Sequence, residues 1–396
     1  MPMRVVRLTP DSEPRLKKRA LFAVFLTICV SLIGFGIVIP LLPAYAQQFD
    51  ASELEIGFLF ASFSVAQLLA SPLLGVWSDR WGRRPVLILS LLGSALSFVI
   101  LALAPNLGWL FVSRLVDGFT GGNITTARAY IADISEPHER SRNFGLIGAA
   151  FGLGFILGPA LGGALAHFGL AAPAWFAVGL SLASAFLAWY QLPETIHRTQ
   201  AVQVSPWREL PRMLQRAPVG TLLILNFLMW LGFSVYQTSF PLFLNKRFEF
   251  TPAQVGYVLT FVGIVAAAAQ AVLVGAVVRR LGERAAFLLG MGLNVAGLVG
   301  ASLTHSVWLF YGLAGLAAAG GALALPTFTS ILSQSVQSDE QGRLQGVSGS
   351  LESLARIIGP VWGNGLLKYD TTLPFASAGL LLLGVALWMG RVPAKK

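Results

Sequence analysis

Chemistry-bearing side chains are scarce in this chain of 396 residues, which has one cysteine and four histidines. Cys29 has no partner for an intramolecular disulfide, so cysteine usage says nothing about redox compartment. His138, His167, His197 and His305 are scattered without metal-ligand spacing, and no Gly-x4-Gly-Lys-Ser/Thr phosphate loop occurs. These absences point away from an enzyme, a metal, a cofactor or direct use of ATP. Charge is also scarce: 12% of residues are charged against 55% apolar, at mean hydropathy +0.70. A soluble domain is about one quarter charged, so most of this surface must face lipid. Also missing is the period-two alternation of barrel strands, which leaves helices as the spanning structure that satisfies its own backbone.

Apolar runs of near 20 residues, the length that crosses about 30 Å of hydrocarbon, recur along the chain. They predict spans near 21–43, 56–76, 86–104, 108–132, 143–166, 172–191, 218–244, 254–278, 285–303, 307–334, 344–367 and 373–391. The expectation is an all-α integral membrane protein of twelve transmembrane helices. The first run follows basic residues and precedes Ala44-Tyr45-Ala46, as a cleaved signal would. It is longer than the roughly 7–15 residue core of a signal and ends in Pro40 and Pro43, so a retained helix is expected.

Charge placement fixes the expected topology. With an even number of spans and the amino terminus inside, cytoplasmic segments hold 22 of the 28 Lys and Arg. The outer loops hold Lys246, Arg247 and Lys368, while Arg114, Arg128 and Arg356 fall within spans. By the positive-inside rule both termini are cytoplasmic, and the net charge of +10 is explained without nucleic acid. The expected location is the cell (inner) membrane.

The chain also repeats itself. Gly75-Val-Trp-Ser-Asp79-Arg80-Trp-Gly82-Arg83-Arg84 returns 200 residues later as Gly275-Ala-Val-Val-Arg279-Arg280-Leu-Gly282-Glu283-Arg284. Glu139, Arg142, Gly145, Gly148, Gly158-Pro159 and Gly162 return after 201 as Glu340, Arg343, Gly346, Gly349, Gly359-Pro360 and Gly363. Residues 192–217, beginning Leu192-Pro-Glu-Thr195 and rich in proline and charge, read as a cytoplasmic linker. The division expected is a six-helix bundle over 1–191, the linker, and a second bundle over 218–396, an architecture in which two halves rock about a shared site.

Charges inside spans are costly, about 2.5–3.5 kcal/mol each at a helix centre, and so mark candidate sites. Glu352 and Arg356 sit i,i+4 on one face of the eleventh span and can pair. Arg114 and Asp117 make an i,i+3 pair in the fourth, and Arg128 is placed to snorkel to the surface. Either pair can be a static packing element or a proton site. In the fifth span Gly148, Gly152, Gly154, Gly158 and Gly162 fall at small-xxx-small spacings with Pro159 among them, a pattern for tight packing between the halves.

Together these motifs resemble the major facilitator superfamily over nearly the whole chain, and within it the twelve-span drug:proton antiporters, including tetracycline efflux proteins. Gly75–Arg84 looks like the family's signature loop between helices 2 and 3. Arg114 and Gly118 resemble its proton-transfer motif, Ala129-Tyr130-Ile131-Ala132-Asp133 the end of that helix, and Gly154, Gly158, Pro159, Gly162 and Gly163 its antiporter motif. Gly34-Phe-Gly36-Ile-Val-Ile-Pro40-Leu-Leu-Pro43 is similar to tetracycline exporters, but Ser31 stands where they have an acidic residue, which departs from the usual proton site there.

The resemblance implies a conformational latch of Gly75, Asp79, Arg80, Gly82, Arg83, Arg84 and Asp133, in which Asp79, Arg83 and Asp133 pair to hold the outward-facing state. From the residues alone, Gly75 and Gly82 allow close helix approach, and Asp79 can accept from backbone N–H groups at a helix end. The resemblance places helices 1, 4, 7 and 10 around a cavity, giving cargo candidates Phe35, Asn123, Asn226, Trp230, Phe233, Tyr236, Gln237, Phe328 and Gln334. Proton-coupling candidates are Glu352, Arg356, Arg114 and Asp117. The expected partners are a small-molecule substrate, protons and the bilayer, with the chain acting as a monomer. The expected activity is proton-coupled export of a small amphipathic or cationic compound. A carrier of a sugar or other metabolite, and a non-transporting receptor or scaffold, are the competing expectations.

Overall fold

The computed structural model describes residues 14–121, 123–136, 139–195, 206–337 and 340–391. Among the described residues the secondary structure is thirteen helices with no strand. The first bundle runs α1 (Pro14–Gln47), α2 (Glu53–Trp81), α3 (Arg83–Ala102), α4 (Leu107–Thr120), α5 (Asn123–Ile134), α6 (Arg140–Ala166) and α7 (Ala171–Gln191). Then come α8 (Pro206–Gln215), α9 (Val219–Phe248), α10 (Pro252–Leu303), α11 (Val307–Ser333), α12 (Gln341–Leu367) and α13 (Leu373–Met389).

Local chemistry sets several of these ends. At α2 the Ser52 hydroxyl accepts from the Glu55 backbone N–H while the Glu55 carboxylate accepts from the Ser52 N–H, a reciprocal capping box. Asn106 caps α4 by accepting from Trp109 N–H at 3.3 Å, and Ser306 caps α11 through Leu309 N–H.

Eight helices are long and apolar enough to cross a membrane, α10 among them. Gly282, with φ 78° and ψ 164°, divides α10 into two arms, so that helix serves as two spans. The α4 and α5 pair, α12 with Glu352 and Arg356 along it, and α13 complete the twelve transmembrane helices of this all-α membrane fold.

One expectation is corrected. The fourth span is not continuous over 108–132, because α4 closes at Thr120 and Gly121 turns back to bond Gly118 O at 3.3 Å. Successive glycines at 121 and 122 weaken helix propagation. The expected break between the spans 254–278 and 285–303 falls at Gly282, where two helices meet at a kink. The linker in turn contains α8, whose Glu209 pairs with Arg212 at 3.3 Å and Arg343 at 3.9 Å. Just beyond α8, Arg216 reaches Glu340 at the start of α12 at 2.7 Å and holds that carboxyl below its ordinary range.

The sequence repeat is a structural one. Helices α6 and α12 each have 27 residues and begin 201 positions apart. Gly82 (φ 110°, ψ 159°) and Gly282 turn the chain alike through a region that glycine alone enters without strain. Arg84 donates to Trp189 O, and Arg284 donates to Met389 O at 3.0 Å, both partners again 200 residues apart.

The chain divides into two compact units: Met1–Ala51, Ser62–Ala201 and Pro252–Tyr257 in the first, and Ser52–Ala61, Val202–Thr251 and Val258–Lys396 in the second. Helices α2 and α10 each begin in one unit and continue in the other.

Within the first unit α1 packs along α6. A Cβ built on Gly158 would lie 2.7 Å from Gly36 Cα, and one on Gly162 would lie 3.0 Å from Ile37 O. Gly154 faces Leu32 in the same seam. The stripe of the fifth span is therefore set against α1, while Pro159 and Gly163 of the same motif meet Ala253 and Gly256 at the start of α10, in the half after the linker, as the motif led one to expect. Spacing at i,i+4 aligns Gly154, Gly158 and Gly162 in one stripe, whereas Gly148 and Gly152 face open space. The second unit repeats the seam with α12 along α9: Gly359 would meet Ser234 Cβ at 2.6 Å and Gly363 would meet Val235 O at 2.5 Å. Such contacts replace the hydrophobic effect as the force between helices in lipid.

Candidate functional site

The turn between α2 and α3 gathers charge around one arginine. Arg83 donates through Nη1 to Asp79 and, at 2.9 Å, to Ser78 Oγ, and through Nε to Asp133 Oδ2 at 3.2 Å. Asp133 also accepts from Thr195 Oγ1 at 3.2 Å. The expected trio of Asp79, Arg83 and Asp133 is thus brought together. Arg80 is exposed and Gly75 half-buried.

The backbone N–H at the start of α3 is taken by a different carboxylate. Glu194 Oε1 accepts from Arg83 N–H at 2.9 Å and from Thr195 N–H at 2.9 Å. Its carboxyl group lies where a Cβ on residue 82 would be, so Gly82 is needed both for its positive φ and for the seat it leaves. Asp79, expected in that capping role, pairs with the Arg83 guanidinium. Glu194 was legible only as part of Leu192-Pro-Glu-Thr195; a carboxylate just past a helix-ending proline was the available signal. Glu194→Ala is expected to lower stability by the value of a lost cap, about 0.5–2 kcal/mol, and with it the unfolding midpoint, and Glu194→Gln by less, since an amide oxygen still accepts. Calorimetry or tryptophan-fluorescence melts check this, and an unchanged midpoint for Glu194→Ala removes the cap from the account.

The second constellation is buried between α3 and α4. Arg114 is 2% exposed and Asp117 6%. Arg114 Nη1 donates to Asp117 Oδ2 at 3.2 Å, and its Nη2 reaches Ser113 Oγ at 3.2 Å and Ser97 Oγ at 3.4 Å. The other Asp117 oxygen accepts from Ser94 Oγ at 3.1 Å. Ser94 and Ser97, one turn apart on α3, present hydroxyls to both members of the pair, a feature that reading α4 alone does not reveal. Gly118, one residue on, packs against Phe63 and Ala66 of α2, where a side chain has no room.

The third lies along α9 and α12. Trp230, Phe233 and Tyr236 form a ladder of edge-to-face rings, with centroids 5.5 and 5.3 Å apart. Arg356 sets its guanidinium 5.5 Å from the Trp230 ring centre. Glu352 accepts from Ser348 Oγ at 3.2 Å, and that hydroxyl accepts from Asn226 Nδ2 at 3.0 Å. Asn226 is buried and serves this polar chain, while Gln237 is half-buried on the helix that carries the ladder.

The remaining cargo candidates separate. Phe35 is half-buried between Phe63 and Phe155, at 5.7 and 6.4 Å. The Asn123 side chain lies outside the described residues. Phe328 is fully buried against Phe287 at 5.4 Å, so it is core rather than a cargo contact. Gln334 is exposed at the end of α11 and donates to Glu283 at 3.1 Å, with Ser330 Oγ donating to the same carboxylate at 2.6 Å. It belongs to the repeat counterpart of the α2–α3 turn, which removes it from the cargo set. Arg128 is exposed, in keeping with snorkelling.

Twelve membrane-crossing helices in two repeated sets, polar chains buried among them and charged clusters at the repeated turns define a multi-spanning solute transporter. The chain belongs to the Major Facilitator Superfamily, whose family model matches residues 24–221 and again 222–396. It is 32% identical over 383 residues to the tetracycline resistance protein, class C, of Escherichia coli, covering 95% of this chain and 96% of that one. It is likewise 32% identical to multidrug resistance protein 2 of Bacillus subtilis (strain 168) over 394 residues, 94% of this chain and 95% of the relative. Among solved structures the human organic anion transporter MFSD10 (TETRAN) superimposes with TM-score 0.72 at 25% identity, covering 96% of this chain and 100% of that one. A bacterial homolog of the human lysosomal transporter Spinster superimposes with TM-score 0.80 at 13% identity, over 96% and 98% of the two chains, a likeness of fold alone.

Proposed function

We propose that this protein is a secondary active transporter of the cell's inner membrane that exports a small amphipathic compound, neutral or charged, in exchange for protons, with both termini in the cytoplasm. The observation that carries the reading is the buried Arg114–Asp117 pair with its serine partners. A charge at the centre of a membrane helix costs about 2.5–3.5 kcal/mol on insertion scales, so its retention there favours a working role in transport. The tetracycline and multidrug resistance relatives supply the direction and the class of cargo.

In this reading a proton from outside neutralises Asp117 or Glu352, loosens the hold of Arg114 or Arg356, and biases the rocking of the halves as cargo leaves. The Asp79, Arg83 and Asp133 cluster is the latch for one of the two states. If one net charge moves per cycle, about 2.3 kcal/mol per 100 mV is available, enough for roughly 50-fold accumulation.

A thermal-shift screen identifies a cargo without prior assumption, and uptake into everted vesicles with an acid lumen then tests the coupling. The wild type is expected to accumulate that cargo, while Asp117→Asn or Glu352→Gln loses pH-driven accumulation and keeps downhill counterflow. Undiminished pH-driven accumulation in both variants removes both carboxylates as the proton site. Binding without translocation marks a receptor instead.

A further inference from the structure

We infer that α9 and α12 form a seat for a planar aromatic molecule bearing an acidic group, with the Trp230, Phe233 and Tyr236 rings as its apolar wall and the Arg356 guanidinium as its charged end. The inference rests on the transporter reading above and narrows its cargo.

From Leu225 to Leu244 no position of α9 is exposed, and the half-buried ones, including Phe227, Trp230, Phe233 and Gln237, recur every three or four residues on one face. On α12 the same holds from Gly346 to Ile357, where Glu352 and Arg356 are half-buried. Lipid-facing stripes in this protein look different: on α7, Phe186 is 63% exposed and Tyr190 74%. The ladder therefore keeps an accessible surface that is more covered than the α7 stripe.

Successive rings meet edge to face at interplanar angles of 79° and 83°, so each leaves a face or an edge for a guest ring to pack upon. A guanidinium offers five N–H donors in a planar fork and no acceptor. At Arg356, Nε is buried without a hydrogen-bond partner, while the guanidinium lies over Trp230. The carboxylate one turn away, Glu352, is tethered by the Ser348 hydroxyl, which Asn226 in turn holds. A flat cation over an aromatic ring, with donors still to satisfy, matches a carboxylate or enolate in the plane of a guest ring. A cationic guest in the same place would lie beside Arg356 and be repelled. Glu352 and the guest acid both draw on Arg356, so each weakens the other's hold.

Equilibrium binding to the purified full-length protein in detergent tests this with two probes sharing one ring system, 1-naphthoate and 1-naphthylmethylammonium. Naphthoate is expected to bind the more tightly. Arg356→Met is expected to weaken it about tenfold or more, the loss of one charge-assisted contact, and Arg356→Lys by less. Trp230→Leu is expected to weaken it too, and Glu352→Gln to strengthen it by removing the competitor. Thermal melts identify any variant that fails to fold, and the two-probe comparison on wild type with Glu352→Gln then decides. Equal binding of the probes, binding of neither, preference for the ammonium, or weakened naphthoate binding in Glu352→Gln overturns the inference. Because no gradient is present, failure of proton coupling leaves this result standing, and failure here leaves proton exchange untouched.

Discussion

Arg114→Leu is expected to abolish transport and to destabilise the protein by about 3–5 kcal/mol, the cost of leaving one member of a buried ion pair without the other. The physical cause is specific. Asp117 is buried and keeps Ser94 as a partner, but a single hydroxyl does not replace a guanidinium at 3.2 Å. The companion result is a partial recovery: adding Asp117→Leu to Arg114→Leu removes the stranded charge and restores part of the stability, the hydroxyls of Ser94, Ser97 and Ser113 being left to find other partners. pH-driven transport does not return, since Asp117, one of the two carboxylates proposed to take the proton, is gone. Thermal unfolding of the single and double variants gives the coupling energy, and transport assays separate stability from activity. If both singles and the double melt together near the wild type, the pair is not buried as described.

The second large effect is at the α1–α6 seam. Gly158→Val is expected to prevent accumulation of folded protein, because its Cβ would sit 2.7 Å from Gly36 Cα and 2.8 Å from Ile33 O, both atoms of the α1 backbone. No side chain can give way there, so the helices must separate along the seam, at or beyond the upper end of the roughly 1–3 kcal/mol that overpacking costs. Gly148→Ala and Gly152→Ala, on the same helix but facing open space, are expected to be silent or slightly stabilising, as alanine favours helix over glycine by up to about 1 kcal/mol. Membrane expression and size-exclusion profiles of the three variants provide the comparison. Equal tolerance at all three positions would contradict the seam.

These cases mark what could be read in the amino-acid order and what could not. Spans were legible because lipid demands long apolar runs, and the repeat because two motifs return at offsets of 200 and 201. The glycine stripe of α6 was legible as a packing surface, but its partner was not: small-residue spacing says that something approaches closely and nothing about which helix. The same limit hid Ser94 behind Asp117 and Glu194 behind Gly82, pairs separated by 23 and 111 to 112 residues in contact terms that no periodicity encodes. Phe328 and Gln334 were misplaced because a span's position in the bundle does not give its rotation; one turned into core and the other lay past the helix end. The junction at Gly282 was legible from its charges and its match to Gly82, and one glycine with positive φ redirects the chain there.

The most direct test of proton-for-cargo exchange is the pH inside everted vesicles with an acid lumen, followed by an entrapped dye while a cargo found by thermal shift is added outside. Export coupled to inward proton flow predicts that the lumen turns less acid on addition, at a rate that saturates with cargo, and that Asp117→Asn does not respond. Cargo entering those vesicles while lumenal pH stays constant, or protons moving into the lumen together with it, would contradict the account.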